Sequence, residues 1–191
     1  MDKFNNKYRI PSARLQSWDY GANGTYFITI CTKDRQHLFG DVSDGTMQLN
    51  ELGQLAEKYW VEIPQHFPFI ELGNFVVMPN HTHGILIIDK MDTVLPVDTP
   101  NVETLQCNVS TIPNANKNEQ MAKISPKSGT ISTIIRSYKS VVSKNARLIH
   151  ADFNWQSRFH DHIIRDAQSF ETIQDYIANN PMNWEKDKFY A

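Results

Sequence analysis

Phe75-Val76-Val77-Met78-Pro79-Asn80-His81-Thr82-His83-Gly84-Ile85-Leu86-Ile87-Ile88 is the stretch on which the fold turns. Two apolar, β-branched runs flank Pro79-Asn80, whose turn chemistry closes them into an antiparallel pair, Ile70 to Met78 and His83 to Ile88. His81 and His83 stand two residues apart at the start of the second run, and alternation along a strand aims both rings at one face. Their roots are then about 6 to 7 Å apart. Rings that lean together from that distance can share one divalent ion and leave its other positions open. A histidine pair at a strand edge is also an ordinary polar feature, so its partners elsewhere in the chain decide the reading.

Working outward, Thr25-Tyr26-Phe27-Ile28-Thr29-Ile30-Cys31-Thr32 is rich in β-branched and aromatic residues and reads as a first strand, with Lys33, Arg35 and His37 at its end. From Asn50, the residues Leu52, Leu55, Ala56, Tyr59, Trp60 and Ile63 recur at helical spacing until Pro64 and Pro68 close the helix. Beyond Ile88 the pattern breaks. Residues 89–128 hold Pro96, Pro100, Pro113 and Pro126 with many Asn and Thr and no sustained period, which reads as a long insertion. Ile131, Ile134, Ile135, Tyr138, Val141, Val142 and Ala146 then mark a second helix to about Leu148. Trp155 to Arg165 reads as a strand, and Asp166 caps a last helix running through Asn179, which Pro181 ends. The order strand, helix, strand, strand, helix, strand, helix predicts an α+β, ferredoxin-like (RRM-like) fold. One antiparallel sheet carries helices packed on one face, in a single domain spanning 1–191.

The chain has 191 residues, enough for one substantial core, and its only cysteines are Cys31 and Cys107, too few for a disulfide framework or a cysteine metal site. No run reaches membrane-spanning length and the first residues lack an apolar signal core, so the expectation is a cytoplasmic protein with no membrane partner. A formal charge of −2 argues against coating nucleic acid by bulk charge. The average hides a stripe, however. Lys123, Lys127, Arg136, Lys139, Lys144 and Arg147 follow one another with no acidic residue between them. A solvated helix face usually mixes both signs, so an unopposed run is compatible with a phosphate-facing surface, in which Arg136 and Lys139 join Arg158 as phosphate contacts.

In the last helix Phe170, Ile173 and Ile177 form the apolar stripe, with Tyr176 at its edge and Asn180 four residues on. Positions four apart differ by about 40° around a helix and about 6 Å along it, so phenol and carboxamide point the same way and can face the histidines. Asn180 would then add an oxygen ligand to a metal, and Tyr176 would stand where an activated phosphate is attacked. An ordinary boundary tyrosine and a helix-terminal asparagine before Pro181 explain the same spacing. Tyr138 is a rival nucleophile. His160 and His162 alternate toward the same region but read as structural, and Trp18, Tyr20 and Phe39 are either base-stacking or core aromatics.

Four separated motifs carry a resemblance. They are Tyr26 to Thr32, Val77 to Gly84, Trp155 to Phe159 with His162 to Arg165, and Asp175-Tyr176-Ile177-Ala178-Asn179-Asn180-Pro181. Together they resemble the IS200-like transposases, single-tyrosine HUH endonucleases, and among them the repeat-associated tyrosine transposases, over about residues 8–88 and 129–185. The resemblance implies a divalent-ion-dependent cut in single-stranded DNA beside a hairpin or palindromic repeat, and rejoining through a 5′-phosphotyrosine intermediate. His81 and His83 match the metal-binding histidines, Tyr176 the nucleophile and Asn180 the further polar ligand. Mg2+ or Mn2+ fits a mixed nitrogen and oxygen sphere, with imidazole favouring Mn2+. Family members include homodimers with sites completed in trans, and a nucleoid-associated location in the cytoplasm follows from the DNA partner. Two departures stand out: Thr82 replaces a bulky apolar residue, and the insertion is longer than a compact member needs. The competing class is a domesticated protein that binds palindromic single strands without cutting them.

Overall fold

Alternating Tyr26, Ile28 and Ile30 against Phe27, Thr29 and Cys31 gives β3 (Gly24–Cys31) two different faces, and the rest of the molecule is arranged around that division. The computed structural model describes residues 14, 15, 17–90 and 127–190, together with two short N-terminal strands, β1 (Lys3–Phe4) and β2 (Lys7–Tyr8). Most of the predicted insertion, including Lys123 of the basic stripe, lies outside the described residues. The main sheet has four antiparallel strands in the order β6 (Ile70–Met78), β7 (His81–Ile88), β3, β8 (His160–Ile164). The fold is α+β with one antiparallel sheet, as the element sequence predicts, and the strand order is that of a ferredoxin-like sheet.

Helix α1 (Glu51–Val61) starts where Asn50 accepts hydrogen bonds from the backbone of Leu52 and Gly53. Pro64 does not end helical structure there, because it falls in the first turn of α2 (Ile63–His66), where a missing N–H costs nothing. Thr130 caps α3 (Ile131–Ile149), whose buried side chains are Ile131, Ile134, Ile135, Tyr138, Val142 and Ala146. These pack with Ala56 and Trp60 of α1 against Tyr26, Ile28, Ile30, Val77 and Leu86 of the sheet to make the main core.

The last helix departs from the prediction of helices on one face. Asp166 caps α4 (Ala167–Ala178), which lays Phe170, Ile173 and Ile177 on Phe27, Val76, Ile85 and Ile164. Those residues belong to the other parity of the strands, so α4 covers the opposite face and the sheet lies between two helical layers. A hairpin of β4 (Gly40–Ser43) and β5 (Thr46–Leu49), which the sequence reading did not include, sits between β3 and α1. The last strand is shorter than the predicted Trp155 to Arg165: Trp155 makes only an isolated bridge to Thr32. Past Pro181 the chain continues as a 3-10 turn, Pro181–Lys186. Among the described residues no helix is long and apolar enough to cross a membrane.

Candidate metal and nucleophile site

Strand parity gives the His81-Thr82-His83-Gly84 motif two jobs. Thr82 and Gly84 turn toward the helical core, where Thr82 is fully buried and a Cβ on Gly84 would come within 2.3 Å of the Trp60 ring. Only glycine admits that ring. Thr82 therefore costs the strand no burial. His81 and His83 turn to the α4 face, paired across β3 with Cys31 and Thr29, their ring centroids 4.3 Å apart and almost no surface exposed.

Each ring is set by a neighbour. Asn80 Nδ2 donates to the carbonyls of Arg35 and Phe189 (3.2 and 2.7 Å), which turns Asn80 Oδ1 toward His81 Nδ1 at 2.8 Å. His81 Nδ1 is therefore the protonated nitrogen, and Nε2 keeps a lone pair, buried and without a hydrogen-bond partner. His83 Nδ1 lies 2.9 Å from the Thr29 hydroxyl, which can donate or accept and so tolerates either tautomer. Burial, followed by the charges of Lys188, Arg35 and His37, pushes the pKa of His81 down to about 3. Burial and the adjacent His81 hold His83 well below the ordinary imidazole range. Both rings are neutral at physiological pH, the state a metal requires.

Tyr176 and Asn180 reach the same place from α4 and the turn after it. The Tyr176 hydroxyl lies 3.2 Å from His83 Nε2 and donates to Asp187 Oδ2 at 3.2 Å. Asn180 Nδ2 donates to the same carboxylate oxygen at 2.9 Å, leaving Asn180 Oδ1 buried and unpaired. Tyr176 as a residue is 40% exposed, and burial, then the charge of Asp187, raise its pKa to about 12. Asp187 Oδ1 accepts from Phe189 N, and the Phe189 ring packs 4.6 Å from that of His81.

A divalent ion fits this set. Ligand atoms of His81, His83 and Asp187 lie within 4.8 Å of one another. His81 Nε2 and Asn180 Oδ1 are both buried donors of electron pairs without a proton to hold. Two imidazoles with oxygen donors suit manganese, magnesium or zinc chemistry, with no cysteine among them.

Of the residues singled out from sequence, His81, His83, Tyr176 and Asn180 come together. Tyr138 does not: it is buried in the helical core, donates to the Ala56 carbonyl, and burial raises its pKa. Phe39 is core, and Trp18 and Tyr20 pack against it. Arg136 and Arg158 are exposed. Lys139 Nζ donates to the carbonyls of Gln156 (2.6 Å) and Arg158 (3.4 Å), so it positions the segment carrying Arg158 and retains one proton for another partner. His160 and His162 pair with Thr29 and Phe27 and share the histidine face, both exposed. Asp187 went unread in the sequence. It lies seven residues beyond Asn180, past a proline that ends the helical period, and only the tertiary path of the tail brings it to the site.

No family model matches the chain. An uncharacterized protein of Haemophilus influenzae (strain Rd) is 38% identical over 182 residues, covering 94% of this chain and 92% of that one, and the chain belongs to the same family as that protein. Among solved structures, a REP-associated tyrosine transposase bound to a REP hairpin is similar with a TM-score of 0.57 at 20% identity, over 93% of this chain and 77% of that one. The chain thus has the fold of a tyrosine transposase.

Proposed function

We propose that this protein is a DNA transposase of the single-tyrosine HUH type, which cuts and rejoins hairpin-bearing single-stranded DNA through a 5′-phosphotyrosine intermediate. The observation that carries the reading is the convergence of the Tyr176 hydroxyl on His83 Nε2, beside the unpaired His81 Nε2 and Asn180 Oδ1. A structural tyrosine needs no neutral imidazole pair and no unpaired buried amide oxygen. The similar solved structure is described as bound to a REP hairpin, which supports the choice of substrate. In this reading residues 1–191 act as one domain, with the segment from about 89 to 128 as an insertion in it.

His81, His83 and Asn180 would hold a divalent ion, Mn2+ or Mg2+, with the Asp187 carboxylate beside them. When bound, such an ion would neutralise charge on the scissile phosphate and favour the ionised phenol. Tyr176 attacks phosphorus; the bond from its oxygen to phosphorus forms as the bond to the 3′ oxygen breaks. The Asp187 carboxylate accepts the phenolic proton through the hydrogen bond it already receives, and the departing 3′ oxygen takes up a proton to leave as a hydroxyl. In the reverse direction a 3′ hydroxyl attacks the phosphotyrosine and the strand is rejoined without a nucleotide cofactor. Thr29 and Asn80 fix the two imidazole rings, and Phe189 keeps water from His81. Arg136, Lys139 and Arg158 would steer the DNA backbone.

The test is incubation of the protein with labelled hairpin-bearing DNA from the flanks of its own gene, with Mn2+ or Mg2+, resolved on a denaturing gel beside Tyr176→Phe. A covalent protein–DNA band that requires metal and disappears in the variant is the expected result. Cleavage without an adduct would make water the nucleophile and end the transposase reading. Binding without cleavage on every flank would favour the silent hairpin binder.

A further inference from the structure

One proton in the cleavage step has no donor among the groups named so far. The 3′ oxygen departs as a hydroxyl, while Asp187 is engaged on the phenol side of phosphorus. The layout of the sheet shows where a donor stands. Tyr176 comes from α4, which packs on β6 and β7, so its phenol reaches His83 from that half of the sheet. The tail covers the His81 end, with the rings of Trp184 and Phe189 against that imidazole. At this end of the sheet the open half is the one made by β3 and β8, where His160 and His162 are exposed on the histidine face. Displacement at phosphorus runs in line, with the leaving oxygen opposite the nucleophile. A phosphate attacked from the β7 side therefore presents its leaving oxygen toward β8.

Two cross-strand rows connect the histidine strand to β8, and they differ in their middle member. His83, Thr29 and His160 form one row; Ile85, Phe27 and His162 form the other. In the second row the Phe27 ring stacks on His83 and meets Tyr176 edge-on, with centroids 5.1 and 6.1 Å apart, which puts an apolar divider between His162 and the phenol. In the first row the middle member is the short, buried Thr29, whose hydroxyl lies 2.9 Å from His83 Nδ1. Two strand spacings, roughly 10 Å, separate the roots of His83 and His160. A phosphodiester held between the two side chains fills such a span. After burial, His81 and Lys188, the charge of His160 is a further cause of the low His83 pKa, so the two rings sense each other across Thr29. His37 is also exposed, but it stands beside Trp184, on the His81 side of the pair and away from Tyr176.

We propose that His160 is the proton donor to the departing 3′ oxygen, and the proton acceptor from the 3′ hydroxyl when the strand is rejoined. The inference rests on the tyrosine transposase reading above. In cleavage, the bond from the Tyr176 oxygen to phosphorus forms and the phenolic proton passes to Asp187. The bond from phosphorus to the 3′ oxygen breaks, its electron pair stays on oxygen, and the His160 imidazolium gives that oxygen a proton. The imidazole left neutral then takes the proton of the attacking 3′ hydroxyl in the reverse step. Imidazole suits both directions because it changes charge near neutral pH.

The test is the rate of covalent adduct formation in Mn2+ on hairpin-bearing DNA from the gene's own flanks, with the cut position first mapped by the wild type. Two substrates are compared, one with the ordinary 3′ oxygen at the cut and one with a 3′-bridging sulfur, which leaves as a thiolate without needing a proton. His160→Gln and His160→Asn should be slower than wild type by about a hundredfold on the oxygen substrate and should match it on the sulfur substrate. His162→Gln should keep the wild-type ratio of the two rates. Each protein is compared with itself, so the ratio does not depend on how much of a variant is folded. A sulfur-to-oxygen ratio in the His160 variants equal to that of wild type would overturn the role of His160 while leaving the function standing. A wild-type protein that forms no adduct on either substrate would overturn the function and the inference together.

Discussion

The two faces of the one sheet are built on opposite terms. Beneath α1 and α3, Tyr26, Ile28, Ile30, Leu86 and Trp60 close the space with apolar rings and branches, and even the glycine of the histidine motif serves that packing. Beneath α4 and the tail, the strands bury two imidazoles, and an amide oxygen, a carboxylate and a phenol gather around them. Both faces contain buried polar atoms without a partner among the described residues, Trp60 Nε1 and Thr82 Oγ1 on one, His81 Nε2 and Asn180 Oδ1 on the other. Their company differs. The indole nitrogen sits among hydrocarbon, where its cost is simply tolerated by a large favourable burial. The imidazole nitrogen sits among other ligand atoms that a cation would satisfy at once. The main apolar core thus lies on one face and the candidate site, with two smaller apolar clusters, on the other, and the histidine strand β7 serves both by alternation.

This contrast can be broken most forcefully from the core side. Trp60→Ala should cost about 3 to 5 kcal/mol in urea unfolding, yet the molecules still folded should bind Mn2+ as wild type does. Weakened metal binding in that folded population would mean that the two faces are coupled and the division is wrong.

A smaller effect separates the faces by pH. Burial lowers the folded-state pKa of His81 to about 3 and that of His83 well below the ordinary 6.5, so as pH falls below 6.5 the unfolded chain binds more protons than the folded one. Stability should therefore be full above neutral pH and fall as pH drops through 6, by up to about 1.4 kcal/mol per pH unit for each histidine. The helical face has the opposite signature. Its buried Tyr26 and Tyr138 are shifted upward, so their contribution is lost at alkaline pH, where half-exposed Tyr176 adds to the loss. Urea titrations at several pH values should show a shallower acid limb in His81→Gln and His83→Gln. An acid limb identical to wild type would remove the histidines as its cause.

The smallest effect concerns the nucleophile. The Tyr176 hydroxyl occupies the vicinity of the His83 nitrogen that a metal would use, so the phenol and the ion compete for it. Tyr176→Phe should raise Mn2+ affinity by a few-fold in calorimetry, on the order of the net worth of one hydrogen bond. Reduced affinity would instead make the phenol a ligand.

Much of this division was legible in the sequence, because it is written in local periodicity. Runs of β-branched, aromatic and apolar residues in Thr25 to Thr32 and His83 to Ile88 assigned the strands, and the helical stripes from Leu52 and Ile131 assigned the two core helices. Strand and helix geometry made the histidines and the Tyr176 and Asn180 pair candidates, and the resemblance of the four motifs to the tyrosine transposases singled them out. What escaped depended on tertiary path. The four-residue strands β4 and β5 are too short to show a period, and the stripe of α4 does not say which face of the sheet it covers. Asp187 and Phe189 lie in a tail after Pro181 with no pattern to place them, although they complete the charge and the cover of the site.

The most direct measurement is a crystal of the protein soaked in manganese, with an anomalous difference map at the manganese edge. A single peak within about 2.0 to 2.4 Å of His81 Nε2 and His83 Nε2, with Asn180 Oδ1 turned to it and the Tyr176 hydroxyl moved off His83, is the result predicted. A map without a peak at the histidines, or a manganese ion bound elsewhere while Tyr176 keeps its hydrogen bond to His83, would contradict it.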